Sequence, residues 1–95
     1  LRMKNGQNVQ DRIDYSKKFL KQLKKAPLNI KIAFRNRLEI FIHNPFHTLL
    51  NNHLLTGKLK GYRSINITGD WRALYSKHGR VIVFETLGTH SELYK

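Results

Sequence analysis

Ninety-five residues with 18 Lys and Arg against 6 Asp and Glu, a net charge of +12, make one small domain suited to anionic partners: nucleic acid, an acidic protein or an anionic surface. Hydrophobic residues at 40% place the chain among globular rather than wholly disordered sequences. The absence of cysteine excludes a disulfide scaffold, cysteine-ligated zinc and thiol catalysis, and no apolar run approaches the ~20 residues of a membrane span.

In chain order, residues 1–8 contain Gly6, lack a hydrophobic period and read as a flexible tail; residues 9–95 read as a single domain. Residues 1–10 are polar, which gives no secretory leader, and a cytoplasmic location with no membrane association is expected. Residues 9–15 alternate weakly and predict a first strand. Ser16 is a good N-cap for a helix over 17–25, with Phe19, Leu20 and Leu23 on one face and Lys17, Lys18, Lys21, Lys24 and Lys25 on the other. Pro27 suits the first turn of a second helix, in which Ile30, Phe34, Leu38, Phe41 and Ile42 recur at helical spacing until Asn44-Pro45 stops it.

Residues 46–55 read as a loop. Residues 62–68 alternate as a strand, with Tyr62, Ser64 and Asn66 on one face and Arg63, Ile65 and Ile67 on the other. Gly69-Asp70 is a turn, 71–76 a strand, His78-Gly79 a hairpin turn and 80–87 a central strand ended by Gly88. Residues 91–95 form a tail of one helical turn at most. The order is β-α-α-β-β-β, and tight turns between the last three strands require antiparallel pairing. The expected fold is α+β: an antiparallel β-sheet with two N-terminal helices packed on one face. The other face is left partly open to an anionic ligand.

No cofactor is expected. The five histidines show no His-Glu-x-x-His spacing, His43 and His47 are separated by the helix-breaking Asn44-Pro45, and neither a phosphate-cradling glycine loop nor a Gly-x-Ser-x-Gly elbow occurs. What remains is acid–base chemistry beside fixed cations, for which attack of an RNA 2′-hydroxyl on its own phosphate is the natural candidate. Histidine, with an ordinary pKa of about 6.5, serves as base or acid, and Arg or Lys holds the phosphorane. His53, Asp70, Arg72 and His90 form such a set, with Lys58, Lys60 and Arg63 near in sequence. The same residues admit plainer roles: Asp70 as a turn residue or in an ion pair with Arg72, Trp71 in the core, His90 as a strand-end residue. His43, His47 and His78 read as surface or packing residues, and the charge alone would satisfy a non-catalytic RNA- or ribosome-binding module.

Three stretches carry a resemblance: Leu55-Thr56-Gly57-Lys58-Leu59-Lys60-Gly61-Tyr62-Arg63, then Gly69-Asp70-Trp71-Arg72-Ala73-Leu74-Tyr75, then Gly88-Thr89-His90-Ser91-Glu92-Leu93-Tyr94. Together they resemble the RelE/ParE toxin superfamily, in its YafQ-like branch of messenger-RNA interferases, over residues 9–95. The resemblance implies the RelE-like β-α-α-β-β-β fold. It also implies the toxin of a type II toxin–antitoxin system, a metal-independent endoribonuclease that cleaves mRNA on the ribosome and is neutralised by a cognate antitoxin, expected to be acidic. A ParE-like gyrase inhibitor on the same fold is the alternative. The family's site residues carry over onto His53, Asp70 with Trp71, His90 and Tyr94, and Arg72 matches the sheet arginine of the wider group. Catalysis thus falls to His53, Asp70, Arg72 and His90, and RNA binding to Lys58, Lys60, Arg63, Trp71 and Tyr94. Two positions depart from the pattern: Asn66 stands where a second histidine is common, and Thr86 where an arginine is.

Overall fold

The computed structural model describes residues 11–94; the expected tail over 1–8 and the start of the first expected strand lie outside them. Strand β1 (Arg12–Tyr15) leads into helix α1 (Lys17–Lys25) and helix α2 (Leu28–His43). After a 3-10 turn at Thr48–Leu50 come the two-residue strand β2 (His53–Leu54), a second 3-10 turn at Gly57–Leu59, then β3 (Arg63–Asn66), β4 (Trp71–His78), β5 (Val81–Thr89) and the single turn α3 (His90–Leu93). The strand order is β1-β5-β4-β3-β2.

The sheet is mixed rather than purely antiparallel, because β1 runs parallel to β5. Tight turns fix the direction of β3, β4 and β5, but no turn joins β1 to its neighbour: two helices intervene, and their return decides the direction. Several boundaries also differ from expectation: β4 runs beyond Ser76 to His78, because Lys77 and His78 still pair with Ile82 and Val81. β2 pairs with β3 inside a segment that reads as loop. β3 stops at Asn66, and Ile67 N–H instead closes the turn onto the Trp71 carbonyl at 2.9 Å. β5 runs through Gly88 to Thr89, since Gly88 pairs with Arg72.

The Ser16 hydroxyl works in both directions: it accepts from Phe19 N–H at 3.0 Å, capping α1, and donates to the Glu85 carbonyl at 2.9 Å, fastening the helix start to β5. Below it Phe19 is fully buried, whereas Leu20 is 50% exposed and does not join the core face expected of it. Helix α2 buries Ile30, Phe34 and Phe41 against the sheet and leaves Ile42 at the surface.

Six aromatic rings dominate the core, and Phe84 is their hub. Its ring centroid stands 5.6 Å from each of Phe19, Phe34, Phe41 and Tyr75, and 5.9 Å from Tyr15. Burial pushes the Tyr15 phenol above its ordinary pKa. A β-bulge makes the hub compatible with the rest of β5. Leu74 pairs with Thr86 but Tyr75 pairs with Phe84, so Glu85 is the extra residue. Ile82 and Phe84 share one face by alternation; Leu87, three residues on, would point away without the bulge, yet it is buried in the same cluster. The inserted residue is used as well: Glu85 accepts Ser16 Oγ–H on its carbonyl and Ser76 Oγ–H on its carboxylate at 3.2 Å.

Phe84→Ala is expected to cost about 3–5 kcal/mol, a large share of a small domain's stability, whereas Leu20→Ser should be near neutral. Urea unfolding followed by circular dichroism measures both.

Candidate active site

Residues paired across strands share a face of the sheet. Ile65, Ala73, Tyr75 and Leu87 turn toward the helices and are buried. Their neighbours in sequence turn the other way: Arg72 stands opposite Asn66 on one side and Gly88 on the other, and His53 stands opposite Ser64. On this second face α3 lies across the end of β5. Gly88 allows the approach, because a Cβ there would come within 3.2 Å of Glu92 Oε1 and 3.3 Å of Leu93 Cδ2. The turn is locked by a capping box, with Thr89 N–H and Oγ–H donating to Glu92 Oε1 at 2.8 and 2.9 Å and Glu92 N–H returning to Thr89 Oγ1 at 3.3 Å.

A cleft of about 440 Å³ results, lined by Asn51, His53, Leu55, Thr56, Leu59, Arg72, His90 and Tyr94. Four of the nine residues singled out from the sequence therefore meet in it: His53, Arg72, His90 and Tyr94. The His90 and Tyr94 rings lie 4.6 Å apart at 56°. His90 N–H donates to the Asp70 carbonyl at 2.8 Å, tying the start of α3 to the turn before β4. Asp70 thus touches His90 through its main chain, while its exposed carboxylate has no hydrogen-bond partner among the described residues and forms no ion pair with Arg72.

Two features set the chemical state of the site. His53 Nδ1 lies 2.7 Å from the Asn51 carbonyl. A carbonyl only accepts, so Nδ1 carries the hydrogen and the neutral ring keeps its lone pair on Nε2. Asn51 makes this geometry by standing in the left-handed region at φ 44°, which asparagine tolerates better than most residues. The Arg72 guanidinium is held by carbonyls rather than by an acid: Nη1 donates to Thr68 O and Gly69 O at 3.1 Å and to Trp71 O at 3.2 Å. Its charge is oriented without being neutralised. The ion pairs among the described residues, Arg12 with Asp14, Glu39 with His43 and Asp11 with Lys77, all lie outside the cleft. No group of three His, Cys, Asp or Glu among the described residues could hold a metal ion.

The other sequence candidates stand elsewhere. Lys58 borders a smaller recess beside Leu93 and Tyr94, and Lys60 is exposed on the following turn. Arg63 lies on the opposite face, paired with the buried Tyr75; its Nε donates to Asn52 Oδ1 at 2.9 Å and its guanidinium sits 5.2 Å from the centre of the Phe46 ring. Asn52 in turn donates to the Tyr75 hydroxyl at 2.8 Å, so Arg63 ends a structural network. Trp71 packs half-buried against the core and lines a separate cavity with α1. His43, His47 and His78 line none of the cavities named here.

Leu55, Thr56, Leu59 and Asn51 complete the cleft without having been singled out. Asn51 lies in the segment read only as loop, where no periodicity marks individual residues. Asn66, across from Arg72, keeps a buried Oδ1 with no hydrogen-bond partner, as does the Ser64 hydroxyl two residues earlier. Each such group ordinarily costs about 1–3 kcal/mol.

The chain matches the family of bacterial toxins of type II toxin–antitoxin systems, YafQ, over residues 11–95. It is 30% identical to the mRNA interferase toxin YafQ of Escherichia coli strain K12 across 90% of this chain and 98% of that protein. The crystal structure of YafQ from E. coli strain BL21(DE3) superposes with a TM-score of 0.70 at 27% identity, covering 90% of this chain and 100% of the other. YafQ in the E. coli DinJ–YafQ toxin–antitoxin complex superposes at 0.69 with 26% identity, covering 92% and 100%. The chain belongs to the YafQ family of bacterial toxins of type II toxin–antitoxin systems.

Proposed function

We propose that this chain cleaves messenger RNA on the ribosome, in the cytoplasm, by attack of a ribose 2′-hydroxyl on the adjacent phosphate. The observation that carries this reading is the meeting of two imidazoles and an unneutralised guanidinium in one cleft. His53 Nε2, left with its lone pair, takes the 2′-hydroxyl proton as the O2′–P bond forms. Arg72 is aimed before the reaction begins, and its charge is used most when the phosphorane carries its extra negative charge. His90, whose ring has no hydrogen-bond partner among the described residues, donates a proton to O5′ as the P–O5′ bond breaks. Tyr94 backs the His90 ring and offers a base a stacking surface. Asp70 stands at the rim, tied to His90 through the backbone, and its free carboxylate orients the reacting histidine once RNA fills the cleft.

Lys58 and Lys60 contribute sequence-independent phosphate affinity from the turns beside the cleft. Gyrase inhibition would need neither imidazole, so the paired histidines favour the nuclease. The E. coli relative is held in a complex with DinJ. A cognate acidic antitoxin is expected here too, silencing the protein by covering the cationic helices or the open sheet face; charge complementarity would make its association fast and salt-dependent.

His90→Ala is expected to slow cleavage by roughly 10²–10⁴-fold with RNA affinity nearly unchanged, and Arg72→Ala by roughly 10²–10³-fold, as read by single-turnover assays on programmed ribosomes. Asp70→Asn should lower the rate with the unfolding midpoint unchanged. Cleavage is expected to persist in a chelator and to leave 2′,3′-cyclic phosphate or 3′-phosphate ends, which end-group analysis identifies; 3′-hydroxyl ends would contradict the mechanism. Expression alone should arrest growth and deplete full-length transcripts, and co-expression of a cognate acidic antitoxin should relieve it. Intact transcripts with gyrase-trapped DNA breaks would instead favour the ParE-like activity.

A further inference from the structure

A second cavity, of about 450 Å³, adjoins the cleft. Leu59 lines both and forms the wall between them. The volume falls within the ~300–1,000 Å³ usual for small-ligand sites. One side is built by α1, through Lys18, Gln22 and Lys25, and the other by Trp71 and Leu93.

The chemistry of this lining is specific. Lys18 and Lys25 stand seven residues apart, two turns of helix, so they project on one face about 10 Å from each other. Neither has a carboxylate within ion-pair distance among the described residues. Gln22 Oε1 is committed to Leu87 N–H at 2.8 Å, which leaves its amide hydrogens as donors. The Trp71 indole N–H has no hydrogen-bond partner among the described residues, although its backbone N–H is held by Thr68 Oγ1 at 3.1 Å. One carboxylate, Glu92, also lines the cavity, and its Oε1 is committed to the capping box. A flat aromatic surface, free donors and two unpaired cations suit a nucleobase with flanking phosphates.

We propose that this cavity is a subsite for a nucleotide of the RNA strand next to the one cut, with its base stacked on Trp71 and its phosphates on Lys18 and Lys25. The inference rests on the nuclease reading above. Its effect is to fix the strand on both sides of the Leu59 wall, so that α1 contributes to substrate alignment as well as to the fold.

Trp71 is the single tryptophan of the chain, so its emission reports on the surroundings of that one indole, which lines this cavity and not the cleft. The wild-type protein is titrated with a hexaribonucleotide carrying 2′-O-methyl riboses, which cannot be cut by 2′-hydroxyl attack. Binding is followed by Trp emission and by anisotropy of the labelled oligonucleotide; cleavage of messenger RNA on ribosomes is measured in parallel. Saturable quenching is expected, with both signals giving one affinity. The double variant Lys18→Ala, Lys25→Ala alters only exposed side chains. It should bind more weakly, and the slope of log affinity against log salt should fall by about 1.4, from two lost single-strand phosphate contacts.

Binding seen by anisotropy with silent Trp emission, or an unchanged slope in the double variant, overturns the subsite. So does quenching by polyglutamate but not by the oligonucleotide, which reassigns the cavity to an acidic protein partner. Cleavage by the wild type in those cases leaves the nuclease reading standing. Absence of both cleavage and binding overturns the two together.

Discussion

The contacts of the Phe84 ring are the constraint on which the other elements depend. Its neighbours come from β1, α1, α2 and β4, so one side chain on the interior strand β5 joins two helices to the sheet. A small domain has few residues that can be fully buried, and aromatic rings supply the most apolar area for each position used. Concentrating them around one ring leaves the opposite face of the sheet free of core duty. That freedom is what allows polar and charged groups to occupy Arg72, Asn66 and the His53 position.

The bulge at Glu85 reconciles the hub with the site. It re-phases β5 so that Phe84 and Leu87 both serve the core, and it sends Gly88 to the face where Arg72 stands. Without a side chain at Gly88, α3 can descend onto the sheet and carry His90 and Tyr94 into the cleft. A packing requirement on one face therefore sets the position of the cleft's side chains on the other. The capping box at Thr89 holds α3 within its own turn, and the backbone bond from His90 to Asp70 ties that turn to the one before β4.

Electrostatics give the site its direction. Arg72 is fixed by three carbonyl oxygens, an arrangement that orients a guanidinium while leaving its charge for a ligand. The ion-paired carboxylates lie elsewhere; the Arg12 guanidinium beside Asp14, for example, holds that carboxyl below its ordinary pKa at the far edge of the sheet. Single-sign charge on a small domain is a standing repulsion, and binding an anion relieves it.

The element order, the two helices with their aromatic and aliphatic faces, the three consecutive antiparallel strands and the strongly cationic character of the domain were all legible along the chain. These follow from local periodicity, turn residues and net charge, all readable over a few neighbouring positions. His53, Arg72, His90 and Tyr94 were also legible, once the Gly-Asp-Trp-Arg and Gly-Thr-His-Ser-Glu-Leu-Tyr stretches were taken together. The tertiary structure alone decided the parallel direction of β1, which no turn dictates, and the bulge that lets residues 84 and 87 share a face against simple alternation. It alone turned Arg63 toward Asn52 and Phe46, and set Trp71 in a second cavity with α1. Strand alternation assigns a side chain to one of two faces, but what that face meets depends on segments distant in the chain. Lys18 and Trp71 are 53 residues apart, and only packing brings them to one cavity.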